Sequence, residues 1–125
     1  NLAALEPDFI AGLTLLGGEP MEPANQRALV PFLRRFRERF GAAKTLWVYT
    51  GCVIEELQSS KPSYWRTEVT DEILRMTDVL VDGPFLQDEM SLELKFRGSR
   101  NQRILDVPAS LAAGAPVEKH DGRWD

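Results

Sequence analysis

At 125 residues, with 43% hydrophobic and 27% charged side chains, the chain has the composition of an ordinary globular domain with one core. Its net charge of −4 argues against nucleic-acid phosphates or anionic lipid as partners. No apolar run approaches the roughly 20 residues that cross a bilayer, and no charged-then-apolar leader is evident, so the expectation is a cytoplasmic protein. One cysteine, Cys52, and one histidine, His120, exclude an intrachain disulfide and an ordinary zinc site.

Residues 1–10 read as the end of a helix running straight into a strand. That is an abrupt start for a sheet domain, and it raises the expectation of an upstream piece. The strand is Gly12-Leu13-Thr14-Leu15-Leu16, too short and too apolar for a surface helix and suited to burial in a parallel sheet. It stops at Gly17-Gly18-Glu19-Pro20. Two adjacent glycines permit backbone angles and close approaches that a β-carbon forbids, Glu19 offers an acceptor for a cationic group, and Pro20 stiffens the exit.

Residues 25–40 carry Leu29, Phe32, Leu33, Phe36 and Phe40 at helical spacing, with Arg34, Arg35, Arg37, Glu38 and Arg39 on the other face. Asn25 is the expected N-cap, Pro31 starts the regular part or kinks the first turn, and Gly41 ends the helix. The arginine run reads as a solvated face rather than a binding patch. Residues 45–50 form a second strand ending at Gly51. A helical turn at 54–57, a loop containing Pro62 and a helix over 64–76 lead to a third strand at 78–82, closed by Gly83 and Pro84.

Strand, helix, strand, helix, strand is the alternation of an α/β chain with a parallel sheet. In such sheets the carboxyl ends of the strands share one edge, and ligands bind in the crevice above it. Here that edge carries Gly17, Gly18 and Glu19, then Thr50 and Gly51, then Asp82 and Gly83. Glu19 and Asp82 give it an acidic character suited to an ammonium group or a ribose hydroxyl. Residues 92–96 alternate like a half-exposed strand and 104–107 read as one more, giving a hairpin-like finish. The polar turn 97–103 between them either lines the crevice, holds a partner chain, or ties the hairpin to the sheet. From Pro108 onward no period is evident, and 108–125 is expected to be a mobile tail.

Four blocks together resemble the radical S-adenosylmethionine superfamily, and within it the activating proteins of anaerobic (class III) ribonucleoside-triphosphate reductase. They are residues 12–20, the run 46–51 followed by Glu55-Glu56-Leu57, residues 78–85, and Phe96-Arg97-Gly98-Ser99-Arg100-Asn101-Gln102-Arg103. The resemblance implies a partial parallel (β/α) barrel, with residues 1–107 forming its C-terminal part. It implies that Gly17, Gly18 and Glu19 meet the amino group of S-adenosylmethionine, with Asp82 near the same ligand and Thr50 and Gly51 at the second-strand edge. Pro84 stands where many superfamily relatives carry a lysine.

The resemblance further implies a [4Fe-4S] cluster on a Cys-x3-Cys-x2-Cys loop, since soft thiolates hold such clusters. One cysteine cannot replace three, so the chain is expected to be a truncated activase whose cluster ligands lie upstream. The implied activity uses cluster and S-adenosylmethionine to form a 5′-deoxyadenosyl radical, which takes a hydrogen atom from a glycine of the reductase large subunit. A flavodoxin-type protein is the implied electron donor. Activation of another glycyl-radical enzyme, and a cluster-less binding or docking module, are the competing expectations.

Overall fold

The computed structural model describes residues 2–5, 12–15 and 18–120. A 3-10 turn at Leu2–Leu5 falls where the sequence suggests a helix end. Four strands, β1 (Gly12–Leu15), β2 (Thr45–Tyr49), β3 (Val79–Asp82) and β4 (Arg103–Asp106), form one sheet in the order β1-β2-β3-β4. β1, β2 and β3 are parallel and β4 returns antiparallel to β3. The α/β class and the parallel succession read from the sequence are thus present, in a mixed four-stranded sheet.

The period of two along each strand separates two faces. Leu46, Val48, Leu80 and Leu105 point to one side and join the main core, packing with Val30, Leu33 and Phe36 of helix α1 (Pro23–Phe40) and Ile73 and Leu74 of helix α3 (Thr70–Met76). Val79, Val81 and Ile104 form a smaller buried cluster with Trp47 and Tyr49 on the other side. There the Phe96 ring packs against Trp47, and the Tyr49 hydroxyl donates to the Phe96 carbonyl at 2.7 Å. All four residues of β3 are buried, as its place inside the sheet requires.

Gly12 explains how β1 seats against β2. A β-carbon there would stand 2.1 Å from the Thr45 carbonyl oxygen, a distance no side chain tolerates. Gly12→Ala is therefore expected to lower stability by about 1–3 kcal/mol through the backbone shift it forces. Urea unfolding of the variant checks this, and an unchanged midpoint would show that β1 contributes little.

Several elements differ from the sequence reading. α1 begins at Pro23 with Glu22 as N-cap residue, and Pro31 lies inside it rather than at its start. Asn25 instead turns its amide to the Glu19 carbonyl at 2.8 Å. The arginine face is engaged in part, since Arg27 pairs with Glu68, Arg34 with Glu72 and Arg37 with Asp78. α3 starts only at Thr70, because Gln26 of α1 is wholly buried and takes up the polar groups ahead of it: its Nε2 donates to the Trp65 carbonyl, and its Oε1 accepts from the Thr67 and Thr70 hydroxyls. Residues 92–96 form turns, not a strand, because their backbone follows a short 3-10 segment at Gln87–Glu89 and a single bridge between Met90 and Ser99.

The C-terminal segment read as a tail contains helix α4 (Val107–Ala113). Asp106 caps it by accepting from the Ala109 amide at 3.0 Å, Pro108 sits in its first turn, and Gly114 closes it in the left-handed region. The chain then returns along β4, where the Asp106 amide donates to the Val117 carbonyl and the Lys119 amide to the Ile104 carbonyl. No helix among the described residues is long and apolar enough to cross a membrane.

Candidate functional site

Parallel pairing brings the carboxyl ends of β1, β2 and β3 to one edge, where a crevice of about 280 Å³ opens. The volume lies near the lower end of small-molecule sites. Gly18 and Glu19 follow β1, Tyr49, Thr50 and Gly51 close β2, and Gly83, Phe85 and Gln102 complete the lining. Of the sequence-derived candidates, Gly18, Glu19, Thr50 and Gly51 therefore meet in one place. Gly17 lies outside the described residues.

Glu19 is the hinge of this arrangement. Its Oε1 accepts from the Gly51 amide at 2.7 Å, and its Oε2 accepts from the Thr50 hydroxyl at 2.7 Å and the Met21 amide at 2.9 Å. Three donors fix the carboxylate and tie the end of β1 to the end of β2. A carboxylate has about four acceptor directions, so three donors leave one unused on a side chain that lines the crevice. The fit at Gly51 is close: a β-carbon there would lie 3.2 Å from Glu19 Oε1, so the carboxylate would have to give by a few tenths of an ångström. Gly18, at φ +55°, provides the left-handed turn that delivers Glu19 from the strand.

Behind Thr50 lies Cys52. Its thiol is 3.2 Å from the Thr50 hydroxyl oxygen. Burial pushes this thiol from an ordinary 9.0 up to about 12; the Thr50 hydrogen bond pulls the other way, and Glu19 and Asp82 add to the rise. The protonated thiol therefore donates to Thr50, and the single Thr50 hydroxyl proton goes to Glu19. Because the thiol stays neutral in the fold while the unfolded chain ionises it near its ordinary value, its stabilisation is complete below about pH 9 and is lost as pH rises toward about 12. Thiol labelling at pH 8 is expected to run more than about tenfold slower in the native chain than in urea. Equal rates would show that Cys52 is accessible and ionised.

Asp82 is placed differently from the sequence expectation. It is fully buried, and its carboxylate is engaged away from the crevice lining. Arg103, its direct neighbour across the β3–β4 ladder, donates to Oδ1 at 3.0 Å and to Oδ2 at 2.6 Å. Oδ2 also accepts the Ile54 amide at 2.8 Å, at the start of helix α2 (Ile54–Leu57). Glu55 pairs with the same guanidinium at 2.6 Å, which holds the Glu55 carboxyl below its ordinary range. Asp82 is thus a positioning residue for the segment after β2, because its carboxylate is wholly buried, is absent from the crevice lining and spends three acceptor directions on Arg103 and the Ile54 amide.

The polar turn 97–103 ties the sheet and also reaches the crevice. Gln102 donates to the Gly83 carbonyl at 3.0 Å and Asn101 to the Pro84 carbonyl at 2.7 Å, which holds the turn where Gly83 adopts φ +102°. Sequence reasoning did not single out Tyr49 or Phe85. The alternation within β2 is the available signal for Tyr49; Phe85 follows a proline in a loop and carries none.

Residues 1–105 match the protein family described as the 4Fe-4S single cluster domain. The chain belongs to that family. It is 41% identical over 93 residues to the anaerobic ribonucleoside-triphosphate reductase-activating protein of Pasteurella multocida, covering 74% of this chain and 54% of the relative. The activating protein of Haemophilus influenzae is 39% identical over the same shares, and that of Enterobacteria phage T4 is 31% identical over 100 residues, covering 80% of this chain and 56% of the relative. The chain thus spans about half the length of these relatives. No solved structure matches.

The family's cluster finds no fit among the described residues. They contain no group of three or more cysteine, histidine or carboxylate side chains placed to hold a metal, and the one thiol is buried and protonated. A [4Fe-4S] cluster would take its thiolates from outside these 125 residues.

Proposed function

We propose that the crevice is the S-adenosylmethionine site of a reductase-activating protein of the radical S-adenosylmethionine superfamily, and that the parallel strands are part of its (β/α) barrel. The observation that carries this reading is the Glu19 carboxylate, which lines the crevice and is fixed by Gly51, Thr50 and Met21 with one of about four acceptor directions unused. A preorganised carboxylate suits the α-ammonium of an amino-acid ligand and disfavours a phosphate. Gly18, Thr50 and Gly51 keep the backbone near the ligand, and Tyr49 and Phe85 offer aromatic walls.

In this reading S-adenosylmethionine supplies the reactive sulfonium when bound. This chain's residues bind and orient the ligand: Glu19 holds the ammonium, Thr50 and Cys52 hold Glu19, and Asp82 with Arg103 holds the loop after β2. One thiol cannot hold a cluster, so these residues serve the ligand rather than the cluster. The complete protein would act on the large subunit of anaerobic ribonucleoside-triphosphate reductase, forming its glycyl radical, with a flavodoxin-type protein as electron donor and the cytoplasm as its compartment. The relatives' names and the family match support that partner class.

A cluster-less binding module is the second reading, favoured by the single buried thiol. Iron and acid-labile sulfide in the natural gene product separate the two. Equilibrium dialysis of the chain against S-adenosylmethionine tests the ligand itself: saturable binding at one site is expected, and no retention at millimolar ligand would remove it.

A further inference from the structure

Five of the six large hydrophobic side chains exposed among the described residues fall within one stretch of twelve: Phe85, Leu86, Met90, Leu92 and Phe96. Leu92 is 95% exposed. The stretch is not a loose loop. The Arg100 amide donates to the Glu89 carbonyl at 2.9 Å, the Leu86 amide to Ser99 Oγ at 3.2 Å, and the Tyr49 hydroxyl to the Phe96 carbonyl. Its backbone is pinned while its apolar side chains face out.

Two unusual features sit at adjacent residues of the same stretch. Phe96 is the one non-glycine residue at positive φ among those described, at 66°, a conformation unfavourable for a bulky side chain. Beside it, the Arg97 Nε is the one buried side-chain nitrogen or oxygen among the described residues without a hydrogen-bond partner. Exposed apolar groups with polar neighbours such as Asp88, Glu93 and Lys95 have the anatomy of a protein-binding surface. Phe85 belongs both to this surface and to the crevice lining, so the two are continuous.

We infer that residues 85–96 form the docking surface for an apolar segment of the reductase polypeptide, which the surface guides toward the crevice. The inference rests on the proposed function for the partner's identity, and on continuity with the crevice for the partner's class: a polypeptide seated here reaches Phe85 and the ligand site together. Burial of the exposed apolar side chains is what docking would gain.

The test uses the full chain and the anaerobic ribonucleoside-triphosphate reductase from the same source, with affinity read by biolayer interferometry. Leu92→Glu and Met90→Glu alter exposed side chains outside the crevice lining. Each is expected to weaken reductase binding by about tenfold or more, the loss typical of a central apolar contact, and to leave S-adenosylmethionine retention unchanged. Undiminished reductase affinity in both variants overturns the inference, as does a wild-type dimer that Leu92→Glu dissolves, which would assign the surface to a second copy. Reductase binding lost in the variants while even the wild type retains no S-adenosylmethionine would uphold the docking surface and remove the ligand assignment. S-adenosylmethionine retention with no reductase binding by wild type would do the reverse.

Discussion

Replacing Arg103 with leucine lowers the unfolding free energy by about 3–5 kcal/mol, because it strands the fully buried Asp82 carboxylate without its cation. The guanidinium is bonded to both Asp82 oxygens and to Glu55, which drives its own pKa well above the ordinary arginine value. After the substitution Asp82 keeps only the Ile54 amide. Arg103→Lys should recover part of the loss, since an ammonium restores the charge without the two-pronged geometry. Urea unfolding with unchanged slope and a lowered midpoint is the expected observation. A midpoint within error of wild type would mean that water reaches Asp82, and its role as a positioning residue would fall.

Glu19→Ala is expected to weaken S-adenosylmethionine binding by about 1.5–3 kcal/mol, roughly ten- to a hundredfold, the range of a hydrogen bond to a charged group. Glu19→Gln separates charge from connectivity. The amide keeps one acceptor for Gly51, Thr50 or Met21 but removes the negative charge that an ammonium requires. An affinity loss in Glu19→Gln close to that in Glu19→Ala, with the unfolding midpoint of the glutamine variant nearer wild type, assigns the effect to the ligand. If both variants bind as wild type does, Glu19 is only a tie between β1 and β2.

The legibility of this fold in its sequence varied with how local the signal was. β1, β2 and β3 are short apolar runs ended by glycine, and that pattern alone places their carboxyl ends at one edge, where Gly18, Glu19, Thr50 and Gly51 now line a crevice. The pairing of Asp82 with Arg103, 21 residues later, was not legible, because no local pattern announces a cross-strand ion pair. The start of α3 was missed for a similar reason, since Gln26 reaches it from 44 positions earlier. Helix α4 is a different case. Asp106, Pro108 and Gly114 are its cap, first-turn proline and stop, all local signals, but a proline taken as the end of the fold hid a proline that begins a helix.

On the proposed function, a ligand with an α-ammonium group lies over the carboxyl ends of the parallel strands. Amide chemical-shift mapping of the isotopically labelled chain during titration with S-adenosylmethionine tests it most directly. The expected result is a saturable set of shifts centred on Gly18, Glu19, Gly51 and Gly83, absent in Glu19→Ala at the same ligand concentration. Shifts confined to the separate groove at Gln58, Lys61 and Gly114, or no shifts at saturating ligand, would contradict it.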